Sequence, residues 1–304
     1  MTQPRLGPAL AFLGIGLMGK PMTIRLLHAG YQLTVWNRTL SKADPLAALG
    51  AQVAATPGAA VRGADIVITM LETGTIVREI VERCGPELCR GSLLIDMSST
   101  RQSEAQALHD HLAIHGVAFV DAPVSGGVAG AEAGSLAIMA GGSANNFTRA
   151  EAVLHAMGRP TLVGPAGCGQ LAKLCNQLIV GGTLNIVAEA LLLAQAGGAD
   201  PAAVRDAIRG GFAESRILEV HGRRMLERNF IPGGQVKSQA KDLENVLLAA
   251  TAAGVHLPFT ELATERYRSI VRDLPHADHA AALLALEQLN PGQRLGNLPD
   301  RLPD

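Results

Sequence analysis

The chain has 304 residues, 48% of them hydrophobic and 17% charged, enough to fill one large or two ordinary globular cores and too apolar for disorder. With 26 basic against 27 acidic residues the formal net charge is −1, which gives no footing to nucleic acid or a membrane surface and favours small-molecule partners. Four cysteines (Cys84, Cys89, Cys168, Cys175) lack CxxC spacing in a chain too large to need disulfide staples, so reduced thiols, a cytoplasmic location and no metal site are expected.

The apolar run 8–18 has no basic cluster before it and no small-residue cleavage site after it, so it reads as a buried strand entering a turn rather than a leader. No apolar stretch is expected to reach the roughly 18 residues of a membrane span. From 9 to about 165, short apolar or β-branched runs (9–13, 32–36, 52–54, 65–71, 92–97, 118–124, 135–139, 161–163) alternate with helical segments. Such alternation predicts an α/β fold, a Rossmann-type doubly wound and mostly parallel sheet with helices on both faces. After Gly164-Pro165 the strands stop, and 169 to about 290 reads as helix broken at glycine- and proline-rich points and restarted at Asp200-Pro201, an Asp cap followed by Pro at the first helical position. The expected organisation is a dinucleotide-binding domain over 1–166, an all-α C-terminal domain over 167–292 opened by a long interdomain helix at 169–197, and a loose tail over 293–304.

Gly14-Ile15-Gly16-Leu17-Met18-Gly19 follows the first strand and opens a helix. Its glycines suit a tight turn with the backbone close to a pyrophosphate, and the helix N-terminus supplies N–H donors. At the end of the second strand, where an acid would hold the ribose 2′-hydroxyl of NAD, stand Asn37, Arg38 and Thr39. A guanidinium and a hydroxyl suit a 2′-phosphate, so NADP (NADPH) is expected over NAD. Met70, Leu71, Glu72 and Thr73 close the fourth strand and Ser99-Thr100 follow the fifth. With Ile76 and Ser99 they are candidate cofactor contacts, although Ser99 or Thr100 could equally cap the helix 101–115.

After the sixth strand, Ser125, Gly126 and Gly127 place a hydroxyl beside paired glycines, a turn whose successive N–H groups can cradle a carboxylate; a flexible hairpin is the plain alternative. Lys173 begins an otherwise apolar helix, where a solvent-facing lysine would be unremarkable. Gln177 lies one turn on, however, and Asn176 is adjacent. Gly181-Gly182, costing about 1 kcal/mol each relative to Ala, implies that something packs on the backbone there. A lysine in that setting suits proton transfer. Glu132 reads as a solvated loop acid, and Asp242 as a helix-start or ion-pair residue. His276 and His279 beside Asp278 read as a final-helix cap ahead of a metal or relay site.

FLGIGLMGKPM (12–22), DMSST (96–100), DAPVSGGVAGAEAGSLAIMAGG (121–142), GCGQLAKLCNQ (167–177) and KDL (241–243) together make the chain resemble the β-hydroxyacid dehydrogenase family over about 9–290. The resemblance implies that Lys173 is the general acid/base, that Ser125, Gly126 and Gly127 hold the substrate carboxylate, and that Lys241 reaches cofactor and substrate. The wider family pattern carries Asn four residues after the lysine, whereas Gln177 stands there and Asn176 at the third position, so both amides are candidates, Asn176 first. The KLxNQ form, AIRGGFAESRIL (207–218) and RNFIPGG (228–234) are similar to the family's tartronate semialdehyde reductase branch. The implied activity is reduction of a small aldehyde acid with NADPH, and the Gly181-Gly182 patch with the apolar helical domain suggests a homodimer or homotetramer. The alternatives are oxidation of 3-hydroxyisobutyrate or another β-hydroxy acid, reduction of glyoxylate or succinic semialdehyde, and a silent NADP-binding scaffold, against which retention of Lys173 weighs.

Overall fold

The computed structural model describes residues 7–303, which divide into two compact units with the boundary between Lys173 and Leu174. The first contains strands β1 (Leu10–Leu13), β2 (Leu33–Trp36), β3 (Gln52–Val53), β4 (Ile66–Thr69), β5 (Leu93–Asp96), β6 (Ala118–Asp121), β7 (Val124–Ser125), β8 (Leu136–Gly141) and β9 (Gly158–Gly164). Its helices are α1 (Gly19–His28), α2 (Asp44–Ala47), α3 (Pro57–Val61), α4 (Gly74–Cys84), α5 (Gln102–Ile114), α6 (Gly127–Ala133), α7 (Ala144–His155) and the start of α8 (Cys168–Ala196).

The strands form one sheet of order β3-β2-β1-β4-β5-β6-β8-β7, with β9 on β8. Successive residues of a strand point to opposite faces. Phe12, Val35, Ile68, Ile95 and Val120 therefore join Met22 and Leu26 of α1 and Val153 of α7 in one core layer. Leu13, Trp36, Val67, Leu94 and Phe119 join Val77 and Ile80 of α4 and Leu108 of α5 in the other. Helices on both faces explain why the strands are continuous apolar runs. The register aligns Trp36, Leu13, Thr69, Asp96 and Asp121 across five parallel strands, so the five following loops leave from one edge. The expected strand 118–124 is instead two: the chain breaks at Pro123, which has no N–H to give a ladder, and β7 pairs antiparallel with β8.

The second unit continues α8 and adds α9 (Pro201–Ile208), α10 (Arg223–Leu226), α11 (Val236–Ala252), α12 (Pro258–Ile270) and α13 (Ala282–Leu289), with a π-helical turn at Leu218–Gly222. Asp200 caps α9 by accepting from the Ala202 N–H at 2.9 Å, as its sequence predicts. Leu184, Ala188, Leu191, Leu243, Tyr267 and Leu283 centre the core. Two expectations are corrected here. The expected loose tail over 293–304 is, through its described residues 293–303, tied down: Leu295 is fully buried, and Arg228, 1% exposed, pairs with Glu287 at 2.6 Å and with Asp300. A guanidinium this deeply buried is costly without anions around it, so the C-terminal segment is held where Arg228 needs it. And α8, at 29 residues, is long and apolar enough to cross a membrane by composition alone. The same composition serves a core helix, and Leu174, Leu184, Val187, Ala188 and Leu191 of α8 are buried.

Candidate active site

At the shared strand edge the glycines of the first turn are there by necessity. A Cβ on Gly14 (φ +110°) would lie 2.2 Å from the Met70 carbonyl oxygen, and one on Gly19 would lie 1.9 Å from that of Gly14. A Cβ on Gly16 would meet nothing within 4 Å, so the backbone there is open to close approach by a ligand. No side chain caps α1; Pro21 has no N–H and the Lys20 and Met22 amides donate to the Gly16 and Met18 carbonyls, so the donors open to an anion are those of the turn at 16–19, a set that fits a dinucleotide pyrophosphate. Asn37 accepts from the Ile15 N–H at 2.9 Å and donates to the Thr39 carbonyl at 2.9 Å, bracing the phosphate turn against the loop after β2. Arg38 and Thr39 are exposed beside it. Lys20 and Lys42, which the sequence reading passed over, line the groove running from Gly16 and Leu17. Lys42 ends the short turn Leu40–Lys42 directly after Thr39, and that proximity was the available signal.

Thr73 caps α4 by accepting from the Ile76 N–H, so Ile76 lies in the first turn of that helix, a few residues on from Leu71 and Glu72. The Leu71 N–H donates to the Ser98 hydroxyl at 2.9 Å, tying the loop after β4 to the loop after β5. Asp96 is buried, which pushes its carboxyl up to about 6 although Ser98 and Thr69 donate to it. Neither Ser99 nor Thr100 caps α5. That helix starts after Arg101, whose N–H donates to the Glu104 carboxylate at 2.9 Å, while the Thr100 N–H is committed elsewhere.

Its acceptor is Gln170, in the first turn of α8. Gln170 is fully buried; its Oε1 accepts from the Thr100 N–H at 2.9 Å and its Nε2 donates to the Ser98 carbonyl at 2.8 Å. Asp121, at the end of β6, accepts from the Gly167 N–H at 2.7 Å and the Gln170 N–H at 2.8 Å, filling the place of an N-terminal cap. Burial raises the Asp121 carboxyl, and these amides oppose that rise without cancelling it. The packing is tight: a Cβ on Gly169 would lie 2.5 Å from the Asp121 carbonyl oxygen. The half-buried Lys173, one turn beyond Gln170, therefore sits on a helix start fixed to β6 and to the Ser98–Thr100 loop. Sequence reasoning missed the roles of Asp121 and Gln170, although a strand-ending acid and a glutamine within a glycine-rich helix start were both visible.

Ser125 lies on β7 opposite Ala137. Gly126 (φ +140°) and Gly127 (φ +63°) adopt conformations that only glycine holds without strain, and both are exposed with no side chain capping α6. Their amides can present a concave donor set to a carboxylate. Glu132 is exposed, in line with its reading as a solvated acid.

In the second unit, Asn176 donates to the Gln177 Oε1 at 2.9 Å, and the Gln177 Nε2 donates to Asp242 at 2.7 Å. Asp242, buried on α11, also pairs with Lys241 at 3.4 Å. Its ion-pair reading holds, but its larger role is as the anchor of Gln177. A Cβ on Gly181 would lie 2.6 Å from the Gln239 side chain and 3.0 Å from that of Leu243, so α11 is what packs on the helix there. A Cβ on Gly182 would meet nothing within 4 Å. His276 is exposed and Asp278 caps the turn His279–Ala281.

The family model for the NAD-binding domain of 6-phosphogluconate dehydrogenase matches residues 9–172, and the model for the NAD-binding region of NADP-dependent 3-hydroxyisobutyrate dehydrogenase matches 167–286. The chain is 40% identical over 284 residues to 2-hydroxy-3-oxopropionate reductase of Escherichia coli, covering 91% of this chain and 97% of that one. It is 34% identical over 274 residues to NAD-dependent L-serine dehydrogenase of Pseudomonas aeruginosa, covering 86% and 92%. Among solved structures, 3-hydroxyisobutyrate dehydrogenase of Mycobacterium tuberculosis with L-serine superposes with a TM-score of 0.85 at 32% identity, covering 92% of this chain and 99% of that one.

Proposed function

The chain belongs to the β-hydroxyacid dehydrogenase family of NAD(P)-dependent oxidoreductases, and on that premise we propose that it reduces tartronate semialdehyde (2-hydroxy-3-oxopropionate) to glycerate with NADPH in the cytoplasm. The observation that carries the reading is the 40% identity to a reductase of that name over nearly its whole length, joined to a lysine helix whose start is fixed by Asp121 and Gln170. The turn at Gly14–Gly19 and Arg38 would hold NADPH, whose chemistry would be hydride donation to the aldehyde carbon. The Ser125 hydroxyl and the Gly126 and Gly127 amides hold the substrate carboxylate, and the Lys173 ammonium gives its proton to the aldehyde oxygen as the alcohol forms. Asn176 is braced through Gln177 to Asp242, and Lys241 pairs with Asp242; on the family resemblance we assign Asn176 to orienting the substrate and Lys241 to contact with cofactor and substrate. A panel of tartronate semialdehyde, succinic semialdehyde and glyoxylate, each with NADPH and NADH, tests the assignment. Tartronate semialdehyde with NADPH should give the highest kcat/KM, and preference for L-serine or 3-hydroxyisobutyrate oxidation with NAD would replace it.

Arg38 is the residue to which we assign the cofactor preference, with Thr39 and Lys42 beside it. A charge-assisted pair with a 2′-phosphate is worth about 1.5–3 kcal/mol. Arg38→Ala should therefore raise the KM for NADPH about 10- to 100-fold and leave that for NADH nearly unchanged. Equal losses with both cofactors would remove Arg38 from that role.

We also propose that the enzyme is a homo-oligomer built along α8. Ile179, Ile186 and Leu193 are 62%, 48% and 74% exposed at seven-residue spacing, which puts three large apolar side chains on one helix face. Light scattering should report a dimer or tetramer, and Ile186→Glu should shift it toward monomer. A monomeric parent chain would contradict this.

A further inference from the structure

We propose that the second unit carries a divalent transition-metal site formed by the Nε2 atoms of His221 and His279, with Asp278 holding His221 from behind. The cluster is independent of the redox site just described. His221 lies on the π-helical turn at Leu218–Gly222, an irregularity that often marks a functional position, and His279 lies in the short turn after Asp278. Their Nε2 atoms are 3.2 Å apart and their rings stand nearly edge to face, at 78°. Two nitrogens bonded to one tetrahedral zinc at about 2.0–2.1 Å are separated by roughly 3.3 Å, so the pair is already spaced as two ligands of one ion.

The remaining nitrogen of His221 fixes its tautomer. Its Nδ1 is 3.3 Å from an oxygen of Asp278, so Nδ1 carries the proton and Nε2 presents its lone pair. This carboxylate–histidine arrangement is the usual support behind a metal-bound imidazole. Asp278 is itself fully buried, and its other contacts are all donors: the Gly233 and Gly234 amides at 2.8 and 3.2 Å, the Ala280 amide at 3.0 Å, and Arg224 at 3.7 Å. With its acceptor capacity engaged, Asp278 acts on the ion through His221 rather than by direct bonding. Donor atoms of the three residues all lie within 4.8 Å of one another, and water completes the coordination. Two imidazoles and an anionic support suit Zn²⁺, Co²⁺, Ni²⁺ or Cu²⁺ over Mg²⁺ or Ca²⁺.

The full chain, tag-free and stripped with a chelator that is then removed, should be titrated with Co²⁺ while visible absorption is followed, and with Zn²⁺ in thermal melts. The expected results are the d–d bands of four-coordinate cobalt at one equivalent and a Zn²⁺-dependent rise in Tm on the order of 5 °C at a hundredfold excess over Kd. His221→Ala and His279→Ala should each abolish both signals. His276→Ala should leave both intact, because His276 is an exposed neighbour outside the cluster. His279→Gln, which preserves a polar side chain of similar reach, guards against loss by misfolding and should melt like the metal-free parent. No cobalt bands and no zinc shift in the parent chain, or equal losses in His276→Ala, would overturn the site and leave His221 and His279 as a hydrogen-bonded pair.

Discussion

Replacing Lys173 with methionine should lower kcat for aldehyde reduction by about 10²–10⁴-fold, the range that a positioned general acid contributes. Methionine keeps the length and apolar stem of the side chain and removes only the ammonium, so α8 should stay folded. Binding of NADPH, read by fluorescence titration, should change little, because we assign its phosphates to the turn at Gly14–Gly19 and its 2′-phosphate to Arg38. The loss should fall on kcat rather than on the KM for the aldehyde acid, as expected for an interaction made in the transition state. If Lys173→Met turns over at the parent rate, the proton comes from elsewhere and the proposed mechanism fails. If affinity for NADPH collapses with the rate, Lys173 serves the cofactor and not the carbonyl.

The second large effect is expected at a residue to which we assign no contact with substrate. Asp121→Ala removes the acceptor of the Gly167 and Gln170 amides and leaves both buried N–H groups without a partner, at about 1–3 kcal/mol each. Freed from β6, the first turn of α8 should fray, and a displacement of the lysine by about 1 Å is enough to cost on the order of 10²-fold in kcat. Asp121→Asn retains one acceptor oxygen but turns an NH₂ toward one of the amides, so it should fall between parent and alanine variant. Hydrogen exchange separates this positioning role from general destabilisation: amides 167–171 should exchange faster while those of β1 and β4 stay protected. Uniformly faster exchange, or a normal kcat in Asp121→Ala, would show that this carboxylate does not place Lys173.

Much of this was legible in the sequence because it is written in short-range signals. The alternation of strands and helices, the GxGxxG turn and the Asp200-Pro201 helix start each depend on a few neighbouring residues. What was illegible depends on partners far along the chain. Gln170 bonds to Ser98 and Thr100 across about 70 positions, and nothing in GCGQ announces that its side chain is spoken for. Gln177 looked like a substrate amide by spacing, yet its Nε2 donates to Asp242, 65 residues on. The C-terminal segment read as loose from its prolines and glycines, because the buried Arg228 that holds it lies 72 residues from Asp300. Ser99 and Thr100 resembled caps by type, but the cap position passed to Arg101 once Glu104 took its N–H.

Hydride delivery to the aldehyde carbon of a small carboxylic acid can be read out by isotope transfer. Tartronate semialdehyde should be incubated with NADPH carrying deuterium on the transferred face of nicotinamide C4, and the glycerate formed analysed by mass spectrometry. The expected product is glycerate with one deuterium, located on the hydroxymethyl carbon, with no such product from Lys173→Met on the same timescale. Unlabelled glycerate, or no glycerate from the parent enzyme under conditions where it oxidises L-serine or 3-hydroxyisobutyrate, would contradict it.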